Sequence, residues 1–298
     1  MQRITNQQIL SLGITPQQCV EWVRASFLMK YEAQLPPKIS LHPQGSDFFN
    51  TMPCLLPPQY DRFGVKVVSR IAGSHPSLHS ELLLYRASTG QLLALMEADW
   101  ITQMRTGAVA ALAIQTLQRS DAKVYAFVGL GSTAEATMRC LLETSAQQQL
   151  EVKLLRYKDQ AERFVALFPT PHVHFTIVDT HEELVADSDV IVSAVSIMPE
   201  LFCPDTSLFK QGVLVVPIHT RGFQTCDLAF NHVFADDRGH VCGFQYFSQF
   251  RQFNELSEVL LGKVPARMHD NERILAYNIG LGLHDVWFAH QIYERLYS

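Results

Sequence analysis

The residues whose types and spacing most directly imply chemistry form a glycine loop, Gly129-Leu130-Gly131-Ser132-Thr133-Ala134, set behind the apolar run Val124 to Val128. In such a loop the first glycine permits a tight turn and the second lets the backbone approach a pyrophosphate. The small third residue lets helix and strand pack closely. The N–H groups that open the following helix then face the phosphates with a partial positive charge. Gly129, Gly131, Ser132, Thr133 and Ala134 are therefore candidates for binding a dinucleotide, NAD(P). The motif is informative only between a strand and a helix, which is the setting it has here.

The second strand of such a fold should end near Arg156, 22 positions after Ala134. An acidic residue there would hold the ribose of NAD, but the chain has Arg156-Tyr157-Lys158. Arg156 and Lys158 suit a 2′-phosphate, so NADPH is favoured over NADH; a solvated basic turn is the alternative. Ser193, at the end of the run Val190 to Ala194, joins the expected cofactor-binding set.

Elements that could position this loop are legible on both sides. Ala108 to Leu117 is rich in alanine and leucine and predicts a helix. Beyond it, apolar runs at Val124 to Val128, Val152 to Leu155, Phe175 to Val178, Val190 to Ala194 and Val213 to Val216 are spaced by helical stretches. That alternation predicts a parallel sheet covered on both faces.

The first hundred residues read differently. Thr15-Pro16-Gln17-Gln18 is a helix start, with Val20, Val23 and Phe27 on its core face. Loops are expected from Leu35 to Pro58, then a strand at Gly64 to Val68. A hairpin follows, Glu81 to Tyr85 and Gln91 to Leu95, turning at Ser88-Thr89-Gly90. A final helix is expected from Ile279 to Tyr293. The fold class is α/β, a Rossmann domain over 107–261 with a second α+β domain from 1–106 and 262–298.

Composition narrows the function classes. The 298 residues suit two packed domains, and 47% hydrophobic with 18% charged residues argues against disorder. A net charge of −5 gives no case for nucleic acid or an anionic membrane as partner. No run approaches the roughly 20 apolar residues of a spanning helix, and the N-terminus lacks a signal core, so a cytoplasmic location is expected. The six scattered cysteines read as reduced thiols rather than disulfides, and no metal site is expected.

The stretch Gly90 to Ala108, with Leu92-Leu93-Ala94-Leu95-Met96-Glu97-Ala98-Asp99-Trp100-Ile101-Thr102-Gln103-Met104-Arg105-Thr106-Gly107, resembles the ornithine cyclodeaminase/mu-crystallin family. There a hairpin ending in a glycine turn leads to a Leu-Thr-x-x-Arg-Thr-x-Ala run before the Rossmann domain. Gly64-Val65-Lys66-Val67-Val68-Ser69 resembles the family's lysine strand, and Gly280-Leu281-Gly282-Leu283-His284-Asp285 its C-terminal helix start. The resemblance implies a substrate-binding and dimerisation domain built from both chain ends, hence a homodimer. It also implies a small imino or amino acid as substrate.

The resemblance makes Lys66 an active-site residue, although a lysine in an alternating strand more often points to solvent. It places Arg105 near cofactor phosphate and substrate carboxylate, against the plainer reading of a helix-start arginine paired with Asp99. Lys38 stands where many members carry a carboxylate-clamping arginine, with a solvated loop lysine as the alternative.

Two cyclodeaminase carboxylates are replaced. The glutamate before the Met-Pro pair falls on Asn50, assigned here to the substrate site, and the aspartate after the fifth Rossmann strand aligns with His219. Asparagine cannot serve as a carboxylate base, and histidine titrates well above aspartate. His219 is therefore a candidate general acid beside Lys66. The expected function is NAD(P)-dependent oxidoreduction at the C–N bond of a small imino or amino acid, of ketimine reductase or amino-acid dehydrogenase type. A lyase that recycles its bound NAD and a non-catalytic, NADPH-dependent small-ligand binder are the alternatives.

Overall fold

The computed structural model describes residues 1–76, 78–144, 149–195, 203, 205–218 and 226–297. The chain forms two compact units, Met1–Arg105 with Gly280–Ser298, and Thr106–Ile279.

In order, the elements of the first crossing are β1 (Gln2–Ile4), α1 (Asn6–Ser11), α2 (Pro16–Leu28), β2 (Ile39–Leu41), β3 (Phe48–Leu55), β4 (Arg62–Arg70), β5 (Leu78–Arg86) and β6 (Leu92–Glu97). Helix α3 (Asp99–Leu117) carries the chain into the second unit. There follow β7 (Val124–Val128), α4 (Ser132–Thr144), β8 (Leu150–Leu155), α5 (Gln160–Leu167), β9 (Val173–Val178), α6 (His181–Val185), β10 (Val190–Ser193) and β11 (Leu214–Pro217). Then come β12 (His232–Ala235), α7 (Arg238–Val241), β13 (Phe253–Glu255), α8 (Leu256–Leu260) and β14 (Ile274–Tyr277), before α9 (Gly282–Tyr297) returns to the first unit.

The first unit is a six-stranded sheet ordered β1-β6-β5-β4-β3-β2. Helix α2 begins where the sequence predicts, with the Thr15 hydroxyl and the Gln18 side chain forming a reciprocal capping box. Helix α9 packs on β3, β4 and β5, and α2 packs on α9. Gly64 allows this approach, because a Cβ there would fall 2.7 Å from Val286 Cγ2. The hairpin turns at Gly90, whose φ of +68° suits glycine.

One expectation fails here. Residues 48–55 form a strand, not a loop, and β2 pairs on its outer edge. Pro53 disguises it, since proline within a run argues against a strand. Leu55 exchanges both backbone hydrogen bonds with Gln34, on the side away from β4. Pro53, two residues earlier, turns its missing N–H to that same side, beyond the end of β2, so no bond to β4 is lost.

The second unit holds an eight-stranded sheet ordered β13-β12-β14-β11-β10-β7-β8-β9, every pairing parallel. Strands β10, β11, β12 and β14 are buried at every position, as the unbroken apolar runs imply. The order around β7 is that of a Rossmann fold, with the topological switch between β7 and β10.

The sequence reading returns the chain to the first domain at 262, but the return lies at Gly280. Strand β14 is the reason: Ile274 to Tyr277 is inserted in parallel between β11 and β12. Four apolar residues after a short helix carry too little periodicity to announce a strand. The aromatic series Phe244, Phe247, Phe250 and Phe253 packs on the second unit's core, with Phe244 edge-on to Tyr277 at 5.2 Å.

Candidate functional site

Strand alternation puts Gly64, Lys66 and Val68 on the face of β4 that is buried. Lys66 is therefore turned into the first unit rather than to solvent, and its side chain is fully buried. Its Nζ donates to Asp285 Oδ1 at 2.6 Å, and Arg105 Nε donates to the same oxygen at 2.8 Å. Asp285 is itself fully buried, in the first turn of α9, where a helix N-terminus favours a negative charge.

Local backbone chemistry makes this convergence possible. Gly280 has φ +99°, and a Cβ there would lie 2.5 Å from Arg105 Nη1. Only glycine lets the guanidinium lie against that backbone. The start of α9 is further tied to α2 by a buried 2.6 Å hydrogen bond between Ser26 Oγ and His284 Nδ1. Asp99, the alternative partner for Arg105, instead accepts the Ser80 N–H at 2.6 Å and pairs with His79.

Burial, and after it the neighbouring Arg105 charge, bring the Lys66 ammonium down to about 7, with Asp285 opposing. Lys38, half-buried on the loop before β2, acts in the same direction as Arg105. Arg105 and Lys38 outnumber the Asp285 carboxylate, so the surroundings of Lys66 keep a positive excess in either of its protonation states, which suits an anion. Asn50 projects from β3 on the same face as Met52, the cross-strand partner of Lys66, and its Oδ1 is buried with no hydrogen bond among the described residues.

Asp285 is the residue that sequence reasoning missed. Its signal was present, as the acid that opens a helix after Gly280 and Gly282, but only the fold brings it to Lys66. His219 lies outside the described residues.

In the second unit the glycine loop runs from β7 into α4. Gly129 has φ +77°, and a Cβ there would sit 2.7 Å from the Ala194 backbone, so the turn requires glycine. Gly131 differs, because a Cβ on it would meet nothing within 4 Å. Its backbone is thus open to a ligand rather than pressed by protein. The Gly131 carbonyl accepts the Glu135 N–H and starts the helix, and Ala134 is buried beneath. An exposed loop with open backbone at a helix N-terminus fits a dinucleotide pyrophosphate.

Close packing behind the loop depends on Gly107, a residue the sequence reading did not single out. A Cβ there would fall 2.5 Å from the Ala136 backbone of α4. Arg156 reaches Asp179 at 2.7 Å and also pairs with Glu162. Lys158, at φ +53°, lies over the Tyr157 ring. Ser193 is fully buried at the end of β10. No helix among the described residues is long and apolar enough to cross a membrane.

Residues 5–229 match the model of the ornithine cyclodeaminase/mu-crystallin family. The chain is 29% identical over 272 residues to the nodulation efficiency protein NfeD of Rhizobium meliloti, covering 87% of this chain and 83% of that one. It is 25% identical over 237 residues to a Delta(1)-pyrroline-2-carboxylate reductase of Colwellia psychrerythraea, covering 74% of each. Among solved structures, the Thermococcus litoralis Delta(1)-pyrroline-2-carboxylate reductase in complex with NADH and L-proline superposes with a TM-score of 0.86 at 22% identity. That match covers 99% of this chain and 97% of the other.

Proposed function

Because the chain belongs to the ornithine cyclodeaminase/mu-crystallin family, we propose that it is an NAD(P)-dependent oxidoreductase acting on the C–N bond of a small imino or amino acid. The observation that carries this reading is the buried Lys66–Asp285–Arg105 cluster, which pairs a lysine of lowered pKa with an anion-binding excess of charge.

Gly129, Gly131, Ser132, Thr133 and Ala134 would hold the dinucleotide, which would supply or accept the hydride. Arg105 and Lys38 take the substrate carboxylate. Arg105 commits its Nε to Asp285, and its Nη side is the part assigned to the anion. Lys66 moves the proton at the reacting nitrogen, protonating it in reduction and accepting a proton in oxidation. His219 is the second candidate for that proton, on its sequence position alone. Asn50, which replaces a carboxylate base, argues against cyclisation with loss of ammonia.

The experiment is an absorbance assay of NADPH oxidation against a panel of cyclic ketimines, and of 2-oxo acids with amines. Consumption on an imine is the expected result. Ammonia release without net cofactor change would establish the recycling lyase instead. Tight NADPH binding with no turnover across the panel would establish a sequestering protein.

NADPH is the preferred cofactor in this proposal. The two carboxylates that hold Arg156 are exposed, and exposed pairs are weak, so a 2′-phosphate can take the guanidinium from them. Fluorescence titration should show NADPH binding about fivefold tighter than NADH, with the ratio falling to about one in Arg156→Ala. Equal affinities in the unaltered protein would contradict this.

The protein is also proposed to be a cytoplasmic homodimer. The sheet face opposite Lys66 displays Ile39 (58% exposed), Leu41 (63%), Phe49 (41%) and Val67 (37%) on three adjacent strands. A contiguous apolar face of this kind is rarely left to water, and a second copy would cover it. Sedimentation should give two chains per particle, and Leu41→Glu with Phe49→Glu should give a folded single chain. A monomeric unaltered protein would exclude this interface.

A further inference from the structure

Lys66 Nζ and Arg105 Nε converge on one oxygen of Asp285, Oδ1. The other oxygen, Oδ2, is buried and receives no hydrogen bond from any described residue. A carboxylate meant only to neutralise two cations would do better with one on each oxygen, as in bidentate pairing. Asn50 Oδ1 is a second buried acceptor in the same state. Asn50 stands two residues before Met52 on β3, and Met52 lies directly across from Lys66 on β4. Asn50 itself pairs with Val68, which sets it diagonal to Lys66 on the same face of the sheet. Buried oxygens are nearly always hydrogen-bonded, anionic ones above all. Two that are not, beside cations suited to an acid group, describe a site that wants donors.

We infer that Asp285 Oδ2 and Asn50 Oδ1 read the substrate's nitrogen, accepting hydrogen bonds from its N–H groups and selecting a cationic imine or amine over an oxygen or carbon analogue of the same shape. This rests on the reductase reading above and adds the residues that set its specificity. A neutral ketimine with two carbon substituents on nitrogen has no N–H. Its protonated form has one, and the ammonium product has two. An ether or methylene in that position offers none and leaves both acceptors buried and unmatched, which a site built on hydrogen bonds rejects strongly. Asp285 adds its charge to the attraction. Asn50, being neutral, accepts without a second negative charge beside it. A zwitterion then satisfies the whole cluster, its carboxylate on Arg105 and Lys38 and its nitrogen on Asp285 and Asn50.

The test is calorimetric titration of the NADP⁺-loaded protein with three ring carboxylates that differ in one ring atom: L-proline, tetrahydrofuran-2-carboxylate and cyclopentanecarboxylate. L-Proline should bind at least about tenfold tighter than the other two. Asn50→Leu should remove much of that advantage by weakening L-proline alone, and Asp285→Asn should do the same. Structural damage would weaken all three acids together, so the ratio of affinities carries the test. Asn50→Leu keeps it readable if Asp285→Asn does not fold. Equal binding of the three acids, or an unchanged ratio in Asn50→Leu, overturns the inference and leaves the reductase reading standing. No binding of any acid, together with no turnover of any imine, overturns both.

Discussion

Lys66→Ala should lower kcat/KM for imine reduction by about 10³-fold, within the range that a positioned proton donor supplies. The dinucleotide Kd should stay unchanged, because the loop that binds it draws on other residues. Arg105 still holds Asp285 in this variant, so the buried carboxylate keeps one cation. The unaltered protein should also show a characteristic pH dependence. With the Lys66 proton lost near pH 7, reductive kcat/KM should fall as pH rises through that value, and amine oxidation should rise. Lys66→Ala should flatten both limbs. The linked effect on stability has a definite sign. The folded lysine releases its proton near 7 and the unfolded one near 10.5, so the unfolded chain binds more protons in between. Stability from this group therefore increases with pH across that window and is lowest below it. Rate profiles and thermal melts from pH 6 to 10 check both statements. Full turnover in Lys66→Ala would remove the lysine from the mechanism.

Gly131→Leu should raise the dinucleotide Kd by at least about 100-fold without unfolding the protein. A Cβ at this position meets no atom within 4 Å, so the side chain enters open space, the space proposed above for the pyrophosphate. Losing even two charge-assisted hydrogen bonds to phosphate reaches that magnitude. Gly129→Leu makes the contrast. Its φ of +77° and its 2.7 Å approach to the Ala194 backbone leave no room for a side chain, so that variant should be destabilised whether or not cofactor is present. Thermal melts without ligand, paired with fluorescence titration, separate the two. A Gly131→Leu protein that binds NADPH with unchanged affinity would contradict the proposed cradle.

These two glycines also mark what the sequence could and could not disclose. Local chemistry carried the Rossmann unit: Val124 to Val128, the glycine loop and the capped α2 each announce themselves within a dozen residues. Non-local contact hid the rest. Strand β3 is obscured by Pro53, whose missing N–H matters only once β2 and Gln34 are known to pair on that side. Strand β14 becomes a strand because β11 and β12 flank it. In the site, Lys66 and Arg105 were recognisable by resemblance, but the acid between them sits 219 positions beyond Lys66, and no local pattern links the two.

The measurement that bears most directly on the central claim is label transfer from NADPH deuterated at the transferring position of the nicotinamide. With an imine that the protein consumes, the product amine should carry one deuterium on the carbon bonded to nitrogen, with one NADPH oxidised per amine formed. Product without deuterium, or ammonia released with no net NADPH oxidation, would contradict hydride transfer to a C–N bond as the reaction of this protein.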